Sequence, residues 1–471
     1  MTDISNKERM AIDRQPMPTR PADERAHTFD EVNTGLGHDE ALVEALRCLQ
    51  CKRAWCVDAC PVHVDIPLFL DQLADDDLVG AARSLLSDNA LPCVTGRVCP
   101  QETQCEGACP RGKRGQPVAI GHLERYVADW AAEHADLVED ASTITPTGRS
   151  VAVVGSGPGG LTAAGELARR GHAVTVFEAF HVAGGVLGYG IPPFRLPRDV
   201  TANEVARLER LGVVVQTNAV VGRTYDLDEL RADFDAVFLA VGAGLPVFLD
   251  IPGENLKGVY SANEYLTRVN LMGAFRPEAD TPVAHGQRVA VVGGGNVAMD
   301  AVRTARRLGA AEVVIVYRRT REELPARAEE VGHAEEEGVR FDFLVAPLEV
   351  LGDGDGWVRG LRCQRMELGE PDASGRRRPV PVDGSEFELP CDLVVEAVGT
   401  RANPLLTHSA PGLDLDDRGF IAVDDDGRTS LPGVFAGGDI VRGSATVILA
   451  MGDGKRAAAA IDQHLLALSP T

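Results

Sequence analysis

The cysteines of this chain are gathered in one short region, where their spacing suits metal binding. Eight of the ten lie between Cys48 and Cys109. Seven of these form two runs, Cys48-x2-Cys51-x4-Cys56-x3-Cys60-Pro61 and Cys99-Pro100-x4-Cys105-x3-Cys109-Pro110. In a large chain such clustering indicates metal rather than disulfides. The first run, apart from one longer spacing, resembles an iron–sulfur pattern in which the last cysteine, the one before proline, serves the other cluster.

The number of cysteines leaves one ligand position open. The two runs supply seven thiols, one fewer than two four-thiolate clusters need. Cys93 could be the eighth ligand, and Glu124 is the other candidate. Zinc is the competing interpretation, since CxxC pairs commonly bind it. The Cys-Pro pairs favour iron–sulfur clusters, and so does the flavin predicted below, because it needs a one-electron outlet.

A glycine-rich loop in the middle of the chain predicts a dinucleotide site. Gly155-Ser156-Gly157-Pro158-Gly159-Gly160 follows the strand pattern VAVVG and opens the helix pattern LTAAGELARR. The glycines permit a tight turn and close approach of a pyrophosphate, which the helix N-terminus stabilises. Glu178 ends the next strand, where a carboxylate can accept hydrogen bonds from ribose hydroxyls. A coincidental tight turn is the alternative.

A second loop of the same kind predicts a site for NADP. Gly293-Gly294-Gly295-Asn296-Val297-Ala298 again lies between a strand and a helix pattern. Alignment of the two units places VTVFE beside VIVYR, so that Arg318 stands where the first unit has Glu178. Arg319 follows and Arg321 is near. Guanidinium groups bind a 2′-phosphate that a carboxylate would repel. The alternative is a solvated end of the strand.

One chain that binds two dinucleotides is explained by FAD together with NADPH. Hydride transfer between the two cofactors requires positioning and exclusion of water, and no catalytic side chain is predicted. The segment VFAGGD resembles the second FAD fingerprint of two-dinucleotide flavoproteins, in which the acid, here Asp439, contacts the ribityl–pyrophosphate region. A simple N-cap is the alternative role. Cys363 and Cys391 stand alone, so the paired redox cysteine of disulfide reductases is not found after residue 110.

The elements that must position these residues change character along the chain. The first 145 residues carry helical patterns, and residues 136–149 are typical of a linker. From Ser150, short β-branched runs alternate with helical patterns, and the same alternation of strand and helix patterns begins again at Gln287. The predicted fold class is α/β: a helical N-terminal domain with two [4Fe–4S] clusters, followed by two Rossmann-like domains of the disulfide-reductase type. The predicted division is 1–145 for the clusters, 146–285 and 396–471 for FAD, and 286–395 for NADPH.

Composition narrows the possible partners and location. Hydrophobic residues make up 44% and charged residues 25%, as is ordinary for a globular protein. The formal charge of −23 argues against binding a nucleic acid. The N-terminus lacks the apolar core of a signal peptide, and no segment reaches the length of a membrane helix. We therefore expect a cytoplasmic protein.

The order of these motifs resembles one family over essentially the whole chain, the glutamate synthase small (β) subunit family. That family includes the homotetrameric type of NADPH glutamate synthase, the large subunit of NADH-dependent ferredoxin:NADP oxidoreductase and the α subunit of sulfide dehydrogenase; the N-terminal half of dihydropyrimidine dehydrogenase is more distant. The segments that carry the resemblance are RCLQC, CPVHVDIP, GRVCPQETQCEGAC, IGHLERYVADW, GYGIPPFRLP, IPGENLKGVYSANEYLTRVN, VYRRTREELPAR, ELGEPDASGRRRPV and FAGGDIVRGSATVILAMGDGKRAA.

The resemblance implies a set of ligands and binding residues. It implies one cluster on Cys48, Cys51, Cys56 and Cys109, and another on Cys60, Cys99, Cys105 and Glu124, with Cys93 the less favoured ligand. The residues predicted to bind FAD are Gly155, Gly157, Pro158, Gly160, Glu178, Gly185, Leu187, Gly438, Asp439, Thr446 and Val447. Those predicted to bind NADPH are Gly293, Gly295, Asn296, Val297, Ala298, Arg318, Arg319, Arg321, Arg327, Val398 and Gly399.

Two functions follow from the resemblance. The first is the electron-input subunit of a glutamate synthase, whose larger partner subunit makes glutamate. The chain itself has neither an N-terminal cysteine for a glutaminase nor residues left for a synthase barrel. The second is the large subunit of a ferredoxin-linked transhydrogenase, with a small FAD and [2Fe–2S] subunit as partner and ferredoxin as a possible acceptor, or a sulfide dehydrogenase α subunit. A zinc-stabilised NADP-binding scaffold without turnover is the hypothesis from another class.

Overall fold

The computed structural model describes residues 4–139, 141–371 and 375–468. The predicted linker 136–149, the quoted segment ELGEPDASGRRRPV and both ends of the predicted division include residues outside these ranges. Among the described residues, no helix is long and apolar enough to cross a membrane.

The N-terminal domain is helical, as the apolar spacing predicts. Asp65 and Asp77 begin its two central helices by accepting hydrogen bonds from Leu68 N and Gly80 N. These helices bury residues such as Leu70 and Leu85 in the domain core. The helices are α1 (Asn6–Ala11), α2 (Ala22–Arg25), α3 (His38–Ala45), α4 (Trp55–Asp58), α5 (Ile66–Ala74), α6 (Leu78–Asp88), α7 (Pro92–Val98), α8 (Ile120–Glu133) and α9 (Ala135–Val138), with 3-10 turns at Gln101–Thr103, Pro110–Lys113 and Ala141–Thr143.

A parallel five-stranded sheet follows, in the order β16-β4-β1-β2-β3. Its buried strands are β-branched runs, as in sheets covered by helices on both faces. The strands are β1 (Ser150–Val154), β2 (Ala173–Phe177), β3 (Val214–Gln216), β4 (Ala236–Leu239) and β16 (Val434–Ala436). The helices are α10 (Pro158–Arg169), α11 (Val186–Tyr189), α12 (Arg198–Arg210), α13 (Leu227–Asp233), α17 (Pro404–Ser409), α18 (Asp439–Arg442) and α19 (Val447–Ala467). Because β16 pairs with β4, the end of the chain returns to this first sheet.

A second parallel sheet has the order β6-β14-β7-β8-β9. Its strands are β6 (Val259–Ser261), β7 (Arg288–Val292), β8 (Glu312–Tyr317), β9 (Arg340–Phe343) and β14 (Leu393–Glu396). Its helices are α14 (Ala262–Asn270), α15 (Asn296–Arg307) and α16 (Ala328–Glu336), with a 3-10 turn at Arg321–Glu323. Strand β6 lies before residue 286, so this sheet uses a segment that the predicted division gives to the first FAD part. The physical reason is that β6 satisfies backbone groups along the outer edge of β14.

Antiparallel strands complete the second unit. They are β10 (Val345–Gly352), β11 (Val358–Pro371), β12 (Arg377–Pro381) and β13 (Phe387–Pro390). The far half of β11 pairs with β12, and we call this hairpin the β11–β12 arm. A short pair, β5 (Leu245–Pro246) with β15 (Thr400–Arg401), lies where the chain passes between the two units.

The three parts are joined in two ways. One continuous apolar core contains residues of the N-terminal domain, such as Leu85, and of the first sheet unit, such as Leu161 and Ile448. The second sheet unit has separate cores. It meets the other parts through buried ion pairs such as Arg25 with Glu337.

Candidate cofactor sites

The first glycine loop has the shape of a phosphate cradle. Gly155 has a φ of 100°, and a Cβ there would lie 2.4 Å from the Ala240 carbonyl oxygen. A Cβ on Gly160 would lie 1.9 Å from the Gly155 oxygen, so neither position admits a side chain. Gly157 has no neighbouring atom within 4 Å of such a Cβ and caps α10 without a side-chain bond. The loop is therefore tight on the protein side and open where a pyrophosphate would bind.

The other residues predicted for FAD surround this loop. Both oxygens of Glu178 accept hydrogen bonds, from Ser156 N (3.0 Å) and from Phe180 N (2.8 Å). Gly185 has a φ of 55° and approaches Gly157 so closely that a Cβ would lie 2.8 Å from its Cα. Leu187 is buried in the following helix α11. These contacts place the carboxylate and both glycines at one edge of the first sheet.

The C-terminal segment closes the same region. Gly438, with a φ of 76°, precedes Asp439 at the start of α18. Burial raises the pKa of Asp439 to about 6, although a backbone hydrogen bond from Ala445 lowers it. The Thr446 side chain caps α19 by accepting from Leu449 N at 3.4 Å, and Val447 is the first residue of that helix. The N-terminus of a long helix thus lies close in sequence to a half-buried carboxyl group whose pKa is raised.

The second glycine loop repeats the first. Gly293 has a φ of 142°, and a Cβ there would lie 2.4 Å from the Ala397 oxygen. Gly295, like Gly157, has open space beside it and caps the next helix without a side-chain bond. Within that helix Val297 is 44% exposed and Ala298 is buried.

Residues at the adjoining strand end complete this edge. The Asn296 side-chain oxygen accepts a hydrogen bond from Arg327 N at 2.9 Å. Val398 and Gly399 lie two and three residues after the end of β14; Val398 is 36% exposed and Gly399 has a φ of 120°. The second loop and the end of β14 therefore border the same carboxyl edge of the sheet.

The three arginines predicted to select NADP have different surroundings. Arg318 is exposed, and within the described residues it makes no hydrogen bond or ion pair. Arg319 is buried and donates from Nε to the Arg377 carbonyl at 2.8 Å. Arg321 forms a two-pronged ion pair with Glu335. Arg318 is thus the arginine of this strand end that faces solvent without a protein partner.

Arg327 reaches away from the second sheet toward the N-terminal domain. Its guanidinium donates to the Arg97 carbonyl (3.0 Å), to the Gln101 side chain (2.9 Å) and to Glu329 (2.8 Å). Only 8% of Arg327 is exposed. Arg327 follows β8 by ten residues in the sequence, but its hydrogen bonds join the second sheet unit to the N-terminal domain.

Four of the cysteines line one apolar cavity, and they are the four predicted for the first cluster. The lining includes Cys48, Cys51, Cys56 and Cys109, together with apolar side chains such as Ile66, Leu70 and Ile120. Burial and the neighbouring thiols raise the pKa of Cys48 to about 11 and that of Cys56 to about 12. Within the described residues, no three His, Cys, Asp or Glu side chains surround one point closely enough to hold a single metal ion.

A second group contains Cys60, Cys99, Cys105 and Glu124. Burial raises the pKa of each thiol, and the charge of Glu124 raises all three further. Each of these groups is therefore within electrostatic reach of the carboxylate. Cys93 belongs elsewhere, since after burial its pKa is raised by Glu204 and Asp129.

Glu124 has one occupied and one open oxygen. Its Oε1 accepts from Thr95 Oγ1 at 2.5 Å and from Asn89 Nδ2 at 2.8 Å. No hydrogen bond to Oε2 is present within the described residues. Burial raises the pKa of Glu124 to about 7, so the side chain is costly to keep charged unless a cation is near. This environment fits a ligand to a positively charged centre.

The backbone beside two of these cysteines is strained. Gln50 and His63 have φ values of 47° and 56°, which non-glycine residues seldom adopt. Near the first of these turns, the Gln50 side chain donates from Nε2 to Cys48 Sγ at 3.6 Å. Hydrogen bonds to sulfur are a feature of iron–sulfur sites, so this donor fits such a cluster.

One contact that the sequence did not predict links these groups to the first sheet unit. A Cβ on Gly452 of α19 would lie 2.8 Å from the carbonyl oxygen of Pro61, the residue after Cys60. Lys455 of the same helix donates to the Val62 carbonyl at 2.8 Å. A Cβ on Gly454 would lie 2.2 Å from the oxygen of Gly159 in the first loop. The helix α19 therefore contacts both the dinucleotide loop and the turn at Cys60.

Two family models match the chain in this order. Residues 25–136 match dihydropyrimidine dehydrogenase domain II, 4Fe-4S cluster, and residues 149–461 match pyridine nucleotide-disulphide oxidoreductase. The matches confirm the predicted fold class and the predicted cofactor types, FAD, NADPH and iron–sulfur clusters.

Relatives extend over most of the chain. The glutamate synthase [NADPH] small chain of Escherichia coli is 40% identical over 95% of this chain and 96% of its own length. The NADP(+)-dependent formate dehydrogenase subunit beta of Moorella thermoacetica is 43% identical over 87% of this chain, which spans 60% of that subunit.

A solved structure agrees with the sheet units. Mycobacterium tuberculosis FprA in complex with NADPH has a TM-score of 0.57 and 25% identity, over 68% of this chain and 85% of that one. Together with the preceding matches, this likeness confirms the predicted resemblance. The chain belongs to the glutamate synthase small-subunit family of NADPH-dependent flavin and iron–sulfur oxidoreductases.

Proposed function

We propose that this chain is the electron-input subunit of a glutamate synthase, which takes electrons from NADPH and delivers them to a larger partner subunit. The observation that carries the proposal is the match to the Escherichia coli small chain, which covers 95% of this chain and 96% of the relative. The formate dehydrogenase relative, in contrast, is matched over only 60% of its length.

The two sheet units supply the binding sites in this proposal. The Gly155 loop and Glu178 hold FAD, and the N-terminus of α19 faces its flavin. The Gly293 loop and Arg318 hold NADPH. When bound, FAD accepts hydride from NADPH and releases single electrons to iron–sulfur clusters. The chain itself orients the two dinucleotides and excludes water, which is why no catalytic side chain is required.

The two cysteine groups hold the clusters. Cys48, Cys51, Cys56 and Cys109 bind one cluster, which is supported by their common cavity. Cys60, Cys99, Cys105 and Glu124 bind the other, which is supported by their mutual electrostatic effects and by the open oxygen of Glu124.

The ligand assignment is tested by a pair of variants. In Glu124→Ala, the EPR spectrum of one reduced cluster should change or disappear and the iron content should fall, because a carboxylate ligand is lost. In Cys93→Ser, both cluster signals should stay as in the wild type. If Cys93→Ser removes a cluster and Glu124→Ala does not, the eighth ligand is Cys93.

The fold supports an order for the two clusters. The turn at Cys60 packs on α19, so the group that contains Cys60 lies next to the FAD unit. Cys56 and Cys60 are one helical turn apart, since Cys60 N bonds to the Val57 oxygen. Trp55, which lines the Cys51 cavity, is 46% exposed. Electrons would therefore pass from FAD to the cluster site that contains Cys60, and would leave for the larger partner subunit from the cluster site that contains Cys51.

The whole proposal is tested in two stages. Protein purified without oxygen should contain flavin, iron and labile sulfide, and NADPH should reduce it at lower concentrations than NADH. With the larger subunit from the same organism, it should convert glutamine and 2-oxoglutarate into glutamate at the expense of NADPH. A preparation without flavin or sulfide refutes the redox role. A fully loaded protein that neither binds nor supports the larger subunit refutes the glutamate synthase assignment.

A second candidate has support of its own. The formate dehydrogenase subunit, at 43% identity, is more similar per residue than the small chains of glutamate synthase. The same electron-input role could thus serve another complex, including the predicted ferredoxin-linked transhydrogenase with its small FAD and [2Fe–2S] subunit. Copurification from the native organism distinguishes the two, because each assignment requires a different partner.

A further inference from the structure

The carboxyl end of β8, where we propose that the ribose of NADPH binds, offers less positive charge than the sequence suggests. A phosphate monoester carries a charge of about −1.5 to −2 at neutral pH. Of the arginines that follow β8, Arg319 is bonded to the Arg377 carbonyl and Arg321 to Glu335. Arg318 remains exposed there. One guanidinium is a weak match for a doubly charged group, so a complete phosphate subsite needs further cations at this edge of the sheet.

The β11–β12 arm reaches that edge. Leu344, which follows β9, donates from its N–H to the Arg319 carbonyl at 3.1 Å. Its own carbonyl accepts from Met366 N of β11 at 2.8 Å. The bond from Arg319 Nε to the Arg377 carbonyl then fixes β12 beside the same strand end. Three hydrogen bonds therefore hold the arm at the carboxyl end of β8, where the ribose of a dinucleotide lies in this fold.

The arm carries a run of three arginines at this point. Arg377 uses its guanidinium within the arm, donating to the Leu368 carbonyl at 2.9 Å. Arg378 is exposed and, by the alternation of side chains along β12, lies on the face opposite Arg377, and Arg376 is exposed in the bend just before β12. The described acids of the arm, Glu367 and Glu370, are both exposed on β11.

We propose that Arg376 and Arg378 of the β11–β12 arm complete a subsite for the 2′-phosphate of NADPH, together with Arg318. The inference rests on the proposed use of NADPH and adds residues from a remote segment of the chain. In this arrangement Arg319 is a positioning residue, because it holds the arm through the Arg377 backbone. The arm would then select NADPH over NADH through charge-assisted hydrogen bonds.

The test compares two double variants of the holoprotein. Arg376→Ser/Arg378→Ser should bind 2′,5′-ADP about tenfold or more weakly by isothermal titration calorimetry, because two charged donors are removed. Its kcat/KM should fall more for NADPH than for NADH. The control is Arg359→Ser/Arg362→Ser, which removes two exposed arginines of the near half of β11 that pair with Glu388 and Glu349. The control should bind 2′,5′-ADP as the wild type does.

Further measurements keep the outcome unambiguous. Flavin content and circular dichroism show whether the first double variant is folded, and Arg376→Lys/Arg378→Lys should recover part of the affinity because charge is kept. Unchanged binding in the serine double variant, or an equal loss in the control, overturns the inference. The two proposals can also fail separately. If 2′,5′-ADP binding depends on the arm but NADPH does not reduce the flavin of the wild type, the subsite is supported and the proposed function is refuted.

Discussion

The two dinucleotide-binding units have nearly the same loop and very different joints to the rest of the molecule. Gly155 and Gly293 each back onto a carbonyl, and a Cβ on either would lie 2.4 Å from that oxygen. The unit of Gly155 shares one apolar core with the N-terminal domain, in which Leu85 and Leu161 both take part. The unit of Gly293 has its own cores and is fastened by buried charges.

The ionic joint is centred on one carboxylate. Glu337 accepts hydrogen bonds from Arg25 of the N-terminal domain and from Arg303 and Arg307 of its own unit, at 2.7 to 3.2 Å. Burial by itself raises the pKa of Glu337, but the bonds from Arg307 and Arg303 outweigh it and hold the pKa at about 2. The unit that we propose to relay electrons is thus joined to the N-terminal domain by packing, whereas the unit that we propose to bind NADPH is joined to it by charge.

The largest expected effect comes from breaking the ionic joint. Glu337→Ala leaves three buried guanidinium groups without their shared acceptor, and we expect the free energy of unfolding to fall by about 3–5 kcal/mol. Glu336→Ala is the control, since that neighbour is 60% exposed and contacts Arg25 from the surface. Its effect should be below about 1 kcal/mol. Denaturant titration checks both, and equal losses would mean that the buried network does not hold the unit.

The apolar joint is broken by adding volume to α19. In Gly452→Leu the new side chain meets the Pro61 carbonyl, so overpacking should cost about 1–3 kcal/mol and slow the appearance of reduced clusters after NADPH is added. Gly332→Leu is the matched control, because this glycine is also helical and has no neighbour within 4 Å of a Cβ. The control should be neutral or stabilising by up to about 1 kcal/mol. Stopped-flow absorbance measures the rate of cluster reduction, and thermal unfolding measures the stability. Equal behaviour of the two variants would contradict this prediction.

The smallest expected effect is a pH dependence of the free energy of unfolding, caused by another buried carboxyl group of the second unit. Glu396 at the end of β14 is buried, and its carboxylate oxygens lack hydrogen bonds of good geometry within the described residues. Burial, and then the charge of Glu254, raises the pKa of Glu396 from 4.5 to about 7. The neutral form is favoured in the fold, so its contribution to stability is complete below pH 4.5 and is lost as the pH rises through about 7.

Glu396→Gln should therefore match the wild type near pH 5 and be more stable by about 1–2 kcal/mol near pH 8. The control Glu388→Gln changes a carboxylate that is 58% exposed on β13 and should show no such pH dependence. Thermal unfolding at the two pH values measures the difference. A constant difference at both values would show that Glu396 does not change its charge in this range.

Local patterns were enough to predict the fold class and the two loops. A glycine loop between strand and helix is specified within a few residues, and both Gly155 and Gly293 adopt the positive φ that such turns require. The grouping of Cys60 with Glu124 needed the family resemblance, because their separation in sequence says nothing about distance in space. The resemblance could place both residues, and the structure adds the hydrogen bonds that leave one Glu124 oxygen open.

The remaining features depend on remote contacts. The family resemblance predicts that Arg327 binds NADPH, and no local pattern indicates the bond from its guanidinium to Gln101, which lies 226 residues away. The predicted division, drawn where the strand pattern restarts at Gln287, leaves residues 259–261 in the first FAD part, although these residues form β6 and pair with β14, which comes much later. Gly452 gave no signal at all, since a glycine in a helix indicates close packing only once its neighbour Pro61 is known.

The helix α19 has a consequence for how relatives can diverge. It is one uninterrupted rod of 21 residues that touches the dinucleotide loop through Gly454 and the Cys60 turn through Gly452. In the assignment proposed above, FAD lies at this loop and one cluster at the Cys60 turn, so α19 fixes the separation on which the rate of electron transfer between them depends. Relatives can then acquire a different partner enzyme while the distance between flavin and cluster inside this chain stays the same.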